Sequence, residues 1–457
     1  MAERNATLTS TVEALLGEKK YSTIKDVLVT MEPADVAGIL EEIGDARIPK
    51  IFRLLPKEQA AETFAELDPE LQELLIRGFS DAELHDIIEE LYVDDAVDLV
   101  EEMPANVVKR ILAQANPDTR KQINDLLQYP ENSAGSIMTT EYVSLRPNMT
   151  VRDAINRIRS TGVDKETIYT CYVTENRKLK GQVSVKDMLL CPDENSPVSR
   201  IMDENVISVN THTDQEEVAQ MLSRYNFLAL PVTDTDGHMV GIVTFDDAMD
   251  VMVEETTEDI EKMAAILPSD KTYLRSSPWD LFKHRIPWLM LLMVSATFTG
   301  MIITSFEEAL AALPLLTAFI PMLMDTGGNS GSQASVSIIR ALSLGELEPS
   351  DVPRVVWKEI RTAVLCGCAL AVICFGKILL VDRLLLGHTD ITLLAAAAVC
   401  LTMALTVLIA KLVGCTLPMG AQKLGLDPAV MASPFITTIV DALSLLVYFA
   451  IASALLF

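Results

Sequence analysis

Five long apolar stretches crowd the C-terminal part of the chain, at 286–306, 309–340, 362–382, 391–416 and 427–456. Each reaches the roughly 20 residues that a helix needs to cross a bilayer. In hydrocarbon every backbone N–H and C=O must be satisfied internally, so this part is committed to a bundle of transmembrane helices. A wholly soluble protein is excluded. The second stretch is long and broken by small polar residues.

Charge divides the chain at the same place. The 457 residues carry a net charge of −27, yet mean hydropathy is +0.28. Residues 283–457 hold 10 Lys+Arg and 11 Asp+Glu, which leaves 27 and 53 for residues 1–282. An acidic soluble part therefore precedes an oily one. Its sign argues against nucleic acid, which is bound by displacing counterions with Lys and Arg. Residues 1–20 contain no apolar signal core, so no cleaved signal peptide is expected and the soluble part is expected in the cytoplasm. Lys and Arg favour the cytoplasmic flanks of spans. Lys283 and Arg285, then Arg340, Arg354, Lys358 and Arg361, then Lys411 and Lys423 all fall on one side if the N-terminus is inside. Five spans then place Phe457 outside a cell (inner or plasma) membrane. The seven cysteines form no disulfide framework, and Cys366 and Cys368 lie in an apolar helix without histidine partners.

Ionisable groups inside spans are costly and usually face a cavity or a partner. Span 2 contains Asp325-Thr-Gly-Gly328-Asn329-Ser-Gly331-Ser-Gln333-Ala-Ser335. Its small residues suit plain helix packing or, the favoured reading, a pore lined by Asp325, Gly328 and Asn329 together with Thr437 of span 5. Span 5 opens with Asp427-Pro428, a helix cap or a cation ligand, and continues through Ser433 and Thr437 to Asp441. At 1.5 Å per residue Asp441 lies roughly 21 Å along that helix. No Lys or Arg shares the span, so this carboxylate calls for a cation.

In the soluble part, Met31-Glu-Pro33, Leu55-Pro56-Lys57, Phe79-Ser80-Asp81 and Met103-Pro104-Ala105 recur every 24 residues, each before a short amphipathic run. Pro and Ser stand where helices start, so residues 1–130 are expected to form an all-α helical-repeat domain. A second repeat follows. Ile137-Met138 returns as Ile201-Met202, and Gly181-Gln-Val-Ser184-Val-Lys-Asp187 returns as Gly241-Ile-Val-Thr244-Phe-Asp-Asp247. Strand-like runs at 171–174, 228–233 and 240–244 alternate with helical patterns at 150–160 and 214–225. This resembles a tandem pair of α/β CBS domains, at 131–196 and 197–253. Such domains often hold a ribose at the Ser/Thr-x-x-Asp turn. The resemblance thus makes Ser184, Asp187 and Thr244 candidates for ATP or another adenine nucleotide.

Residues 246–262 place Asp247, Asp250 and Glu254, and again Glu255, Glu258 and Asp259, on shared helix faces. The run reads either as solvated surface or as ligands for a hard divalent cation, which oxygen donors suit.

With the order now complete, the chain resembles the MgtE family of magnesium channels over nearly its whole length. The strongest matches are 327–333, Asp427 through Asp441, Asp214-Gln-Glu216-Glu217-Val and Thr257-Glu258-Asp259-Ile260. The resemblance implies a connecting helix at 254–282 and a five-helix membrane domain at 283–457. It implies a homodimer with Mg²⁺ held on its axis by Asp441. Regulatory Mg²⁺ sites would use Asp95, Asp214, Glu216, Asp247, Asp250, Glu255, Glu258 and Asp259. Asn226 and Ser433 stand where the family can carry Asp and Asn. The expected mechanism is passive Mg²⁺ entry that cytosolic Mg²⁺ shuts, with no Walker or phosphorylated-Asp motif and no enzymatic activity. The rivals are transport of Co²⁺ or Mn²⁺, proton-coupled transport, and a membrane-anchored CBS sensor that transports nothing.

Overall fold

Proline and serine punctuation sets the helices of the N-terminal region in a computed structural model that describes residues 2–269, 273, 276–307, 314–387, 391–431 and 433–456. Helices Pro33–Glu42, Lys57–Ala65, Asp81–Glu90 and Ala105–Gln114 begin at the repeated signals and stack in sequence. Ser80 shows why: its hydroxyl accepts from Glu83 N–H while Glu83 reaches back to Ser80 N–H, satisfying two groups a helix start leaves open. Each 24-residue unit holds a second helix as well, such as Pro69–Gly78 or Val93–Glu102. Apolar faces meet in one core, where the rings of Phe52, Phe64 and Phe79 lie 5.5–6.3 Å apart.

Two three-stranded sheets follow. In the first, β1 (Tyr142–Leu145) runs parallel to β2 (Thr167–Glu175), which pairs antiparallel with β3 (Lys178–Ser184). The second repeats this order with β4 (Val209–Asn210), β5 (Ala229–Thr233) and β6 (Met239–Thr244). Helices Val151–Thr161 and Gln215–Tyr225 occupy equivalent places. The internal duplication read from the sequence is thus a structural one. The chain divides into two compact units, Met1–Met252 and Val253–Phe457.

In the second unit five long helices are described: Pro278–Ser305, Ile320–Ser343, Val352–Lys377 with a π-helical extension to Leu385, Leu393–Lys423 and Ser433–Leu456. Four regions among the described residues are long and apolar enough to cross a membrane. Ile320–Ser343 falls outside that group because its middle is glycine, serine, asparagine and glutamine. It packs instead against Leu393–Lys423 and Ser433–Leu456, with Gly327, Gly328 and Gly331 buried.

Three sequence expectations change. The second span begins at Ile320 rather than 309, after a 3₁₀ segment at Pro314–Phe319; residues 308–313 lie outside the described residues. The connecting helix does not run to 282. It is the end of Phe245–Met263, and the backbone leaves helical form after Met263 with Ala265 at φ 55°, left-handed geometry that a helix cannot continue. Span 5 is not one helix from Asp427: Pro428–Met431 forms a 3₁₀ turn before the α-helix from Ser433, whose side chain lies outside the described residues.

Candidate functional site

The first unit concentrates carboxylates at one place. Asp94 and Asp95 begin helix Val93–Glu102, and Asp94 is buried among Val93, Ala96 and Val97, with Oδ1 lacking any hydrogen-bond partner among the described residues. A buried carboxylate oxygen left without a partner is expensive. Asp247, at the start of helix Phe245–Met263, accepts the Thr244 hydroxyl. Glu166, whose N–H donates to Glu141 O (3.0 Å), adds a further buried oxygen with no partner among the described residues.

Their electrostatics follow. Burial, then the charges of Asp247, Glu66, Asp246 and Glu141, pushes Asp95 up to about 7. Burial, then Asp94, Asp246, Asp247 and Asp95, pushes Glu166 up to about 8. Burial comes first for Asp94 and Asp247 as well, reinforced by Asp95 and Glu141 for Asp94 and by Asp94 and Asp246 for Asp247, and moves both upward. Asp98 shifts the same way through desolvation and its acidic neighbours, although its outer face is open to water. No Lys or Arg forms an ion pair with Asp94, Asp95, Asp247 or Glu166 among the described residues. The set has the charge and the oxygen donors for a hard divalent cation.

Of the residues the sequence singled out, Asp95 and Asp247 come together here. Asp250 is exposed and acts electrostatically on Glu66. Asp214 caps helix Gln215–Tyr225 by accepting Glu216 N–H (2.9 Å), and Glu216 accepts from Gln220 (3.2 Å). Asn226 ends that helix in left-handed conformation at φ 54°, a backbone role that suits Asn. Asp94, Asp98, Glu141, Glu166 and Asp246 were missed. The one sequence signal was Asp94, a carboxylate on the apolar stripe of its helix.

The two nucleotide candidates separate. Thr244 is bound to Asp247 inside the carboxylate cluster, where phosphate would meet like charge. That counts against Thr244 as a nucleotide contact. Ser184 donates to Asp187 Oδ2 (2.6 Å), and Asp187 is exposed, so this turn stays open. Asp234, Asp236 and His238 also gather, but Asp234 Oδ1 accepts Asp236 N–H and His238 N–H to shape the β5–β6 turn.

In the second unit, glycine decides what approaches what. A β-carbon on Gly327 would stand 2.7 Å from Thr406 Cγ2, and one on Gly331 2.9 Å from Ile436 Cγ2. These glycines serve packing. Gly328 differs: a β-carbon there would collide with Thr437 Cγ2 and stand 3.8 Å from Asp441 Oδ1. Asp441 Oδ1 is buried without a hydrogen-bond partner among the described residues, within electrostatic range of Asp325. Asn329 donates to Asp325 Oδ1 (3.1 Å), and both side chains are exposed on one helix face.

Asp427 is already engaged. Its Oδ1 accepts Ala429 N–H (2.7 Å), and its Oδ2 pairs with Lys262 (2.7 Å), which also pairs with Glu258 (2.7 Å). Ser343 donates to Asp259 (2.9 Å), and Met263 packs against Ile339 and Ala429. Asp259 through Ser343, and Lys262 through Asp427, therefore fasten residues 253–263 to the rest of this unit, while Glu258 braces Lys262 within the segment. Glu255 is half-buried on the same segment.

Comparison with known proteins matches each layer. Residues 31–132 match the MgtE intracellular N domain, 134–192 and 198–254 the CBS domain, and 320–451 the MgtE divalent cation transporter domain. The magnesium transporter MgtE of Thermus thermophilus is 36% identical over 454 residues, 98% of either chain. That of Bacillus subtilis is 33% identical over 445 residues, 96% of this chain and 95% of its own. A crystal structure of the cytosolic domain of the Mg²⁺ channel MgtE in complex with ATP superposes with a TM-score of 0.51 at 36% identity, covering 53% of this chain and 99% of that one. On the strength of near full-length identity in all three layers, the chain belongs to the MgtE family of magnesium transporters.

Proposed function

We propose that the chain conducts Mg²⁺ across a cell membrane as a homodimer, and that Mg²⁺ on the side of residues 1–252 restrains it. Asp441 carries this reading: a carboxylate oxygen buried without a partner among the described residues, reached because Gly328 has no side chain. A hydrated divalent cation supplies the missing partner. Hard oxygen donors without His or Cys favour Mg²⁺ over softer metals. The exposed face bearing Asp325 and Asn329, which lipid would leave unsatisfied and a second copy would cover, supports the dimer.

Regulation rests on Asp94, Asp95, Asp247 and Glu166, with Asp214, Glu216, Asp250 and Glu255 as further oxygen donors. Their repulsion opposes close packing until a cation bridges them. Glu258 and Asp259 transmit the change through residues 253–263. Adenine nucleotide is assigned to Ser184 and Asp187, in line with the ATP-bound relative. The positive-inside pattern puts the N-terminus in the cytoplasm. Mg²⁺ flux into liposomes, with and without Mg²⁺ on the side of the acidic unit, tests the scheme. Flux blocked by Asp441→Asn and by Mg²⁺ on that side is expected; a purified protein that moves no Mg²⁺ under either condition would refute it.

A further inference from the structure

A cavity of about 560 Å³ opens between helix Pro117–Leu126 and the first CBS-type sheet. No residue of the carboxylate cluster or of either Ser/Thr-x-x-Asp turn lines it. Its charged lining is Arg157, Lys165 and Arg177 against one carboxylate, Asp125. In a region where acids outnumber bases 53 to 27, a net positive cavity runs against composition. None of the three cationic side chains forms an ion pair or hydrogen bond with a described residue. The tyrosines Tyr129 and Tyr142 stand in the same lining, and the charge of Arg177 acts on both hydroxyls.

The backbone gives a second, independent sign. Asn176 and Arg177 form the two-residue turn between β2 and β3 with φ of 53° and 66°. Two successive left-handed residues make a type I′ turn, whose second position favours glycine. Arginine there is strained, and such strain concentrates at binding sites. The turn is held from behind: Met239 N–H donates to Arg177 O (2.8 Å), and Lys178 bridges to His238. The guanidinium is thus positioned by backbone rather than by a partner.

Guanidinium and ammonium groups converging on a cavity match phosphate oxygens, and the volume lies within the ~300–1,000 Å³ usual for small-molecule sites. We propose that this cavity binds a small organic phosphate, its phosphate held by Arg157, Lys165 and Arg177 and its ring against Tyr129 and Tyr142. The ligand would join the helical repeat to the first CBS-type domain. The proposal is independent of the ion pathway and of the Ser184/Asp187 site.

Titration calorimetry of the full chain in detergent, without Mg²⁺, tests it with pyrophosphate and AMP as probes. Wild type binds pyrophosphate. The Arg157→Gln/Arg177→Gln variant binds pyrophosphate, and in an Asp187→Ala background AMP, at least ~10-fold more weakly, a loss of about 1.4 kcal/mol. Asp187→Ala, at the other site, leaves pyrophosphate affinity unchanged. Arg177→Gly separates a ligand role from a structural one: relief of the turn raises Tm while pyrophosphate affinity falls. Absence of pyrophosphate binding to wild type overturns the proposal, as does equal affinity in the double-glutamine variant. Loss of all binding on Asp187→Ala, or full affinity in Arg177→Gly, overturns it too.

Discussion

Gly328 and Asp441 depend on each other, because only a missing β-carbon lets the second membrane helix approach the fifth at that level. Gly328→Leu is expected to lose assembly or conduction through bulk alone, read as Mg²⁺ uptake beside a size-exclusion profile. Asp441→Asn keeps the volume and removes the charge. It should lower Mg²⁺ flux by ~10-fold or more, since 1.4 kcal/mol of lost ion stabilisation already gives that factor. Normal uptake by the asparagine variant in a magnesium-dependent strain would remove Asp441 from the pathway. Asp441 was legible from sequence, as an acid in an apolar span with no base. Asp427 was half legible: its cap was readable, but its pairing with Lys262 spans residues 165 positions apart, and no local pattern encodes that.

Among elements, the clearest test is the contact between Val352–Lys377 and Leu393–Lys423. Lys411, which in sequence reads as a cytoplasmic flank, is buried and faces Glu359 at 3.8 Å. Removing one partner of a buried pair leaves an uncompensated charge, at a cost of about 3–5 kcal/mol. Lys411→Met should therefore lower Tm sharply, and Lys411→Met/Glu359→Leu should recover much of the loss; a double variant no more stable than the single would show the pair to be incidental. Helix periodicity and caps gave the repeat helices and both CBS-type duplications, because those signals are local. The connecting helix was read too long, since its extent came from the family resemblance while the acidic run itself ends at 262 and the backbone turns left-handed at Ala265.

For the molecule as a whole, charge couples folding to protons and to Mg²⁺. Asp95 and Glu166 are pushed up to about 7 and about 8 in the folded unit, above ordinary carboxylate values of ~4. A raised carboxylate binds its proton more tightly when folded, so its contribution is most favourable at low pH and is lost as pH rises through the folded value. In Mg²⁺-free buffer the Tm of the acidic unit should fall between about pH 6 and pH 8.5. Saturating Mg²⁺ should flatten that dependence, because the cation takes the protons' place. Calorimetric scans at both pH values check this, and a Tm that rises with pH in the absence of Mg²⁺ would contradict the cluster. Millimolar Mg²⁺ should also protect residues 1–275 from proteolysis better than Na⁺ at equal ionic strength, since a Debye length of about 8 Å does not relieve carboxylates at contact. If the response to Mg²⁺ keeps its midpoint and steepness when Asp247, Asp250, Glu255, Glu258 and Asp259 are all amides, that stretch is ordinary surface.

The amino-acid sequence determined the division into an acidic α and α/β part and an apolar helical part, the two internal repeats, and the carboxylate in the last span. Each is written in composition or in spacing over a few turns, where hydrophobic burial and backbone hydrogen bonding act locally. Only the tertiary structure decided that Asp94, Asp95, Glu166 and Asp247 share one site, that Asp427 is neutralised by Lys262, and that Gly328 rather than its neighbours faces Asp441. Electrostatic energy depends on distance in space, and distances between residues far apart in the chain are set by packing alone.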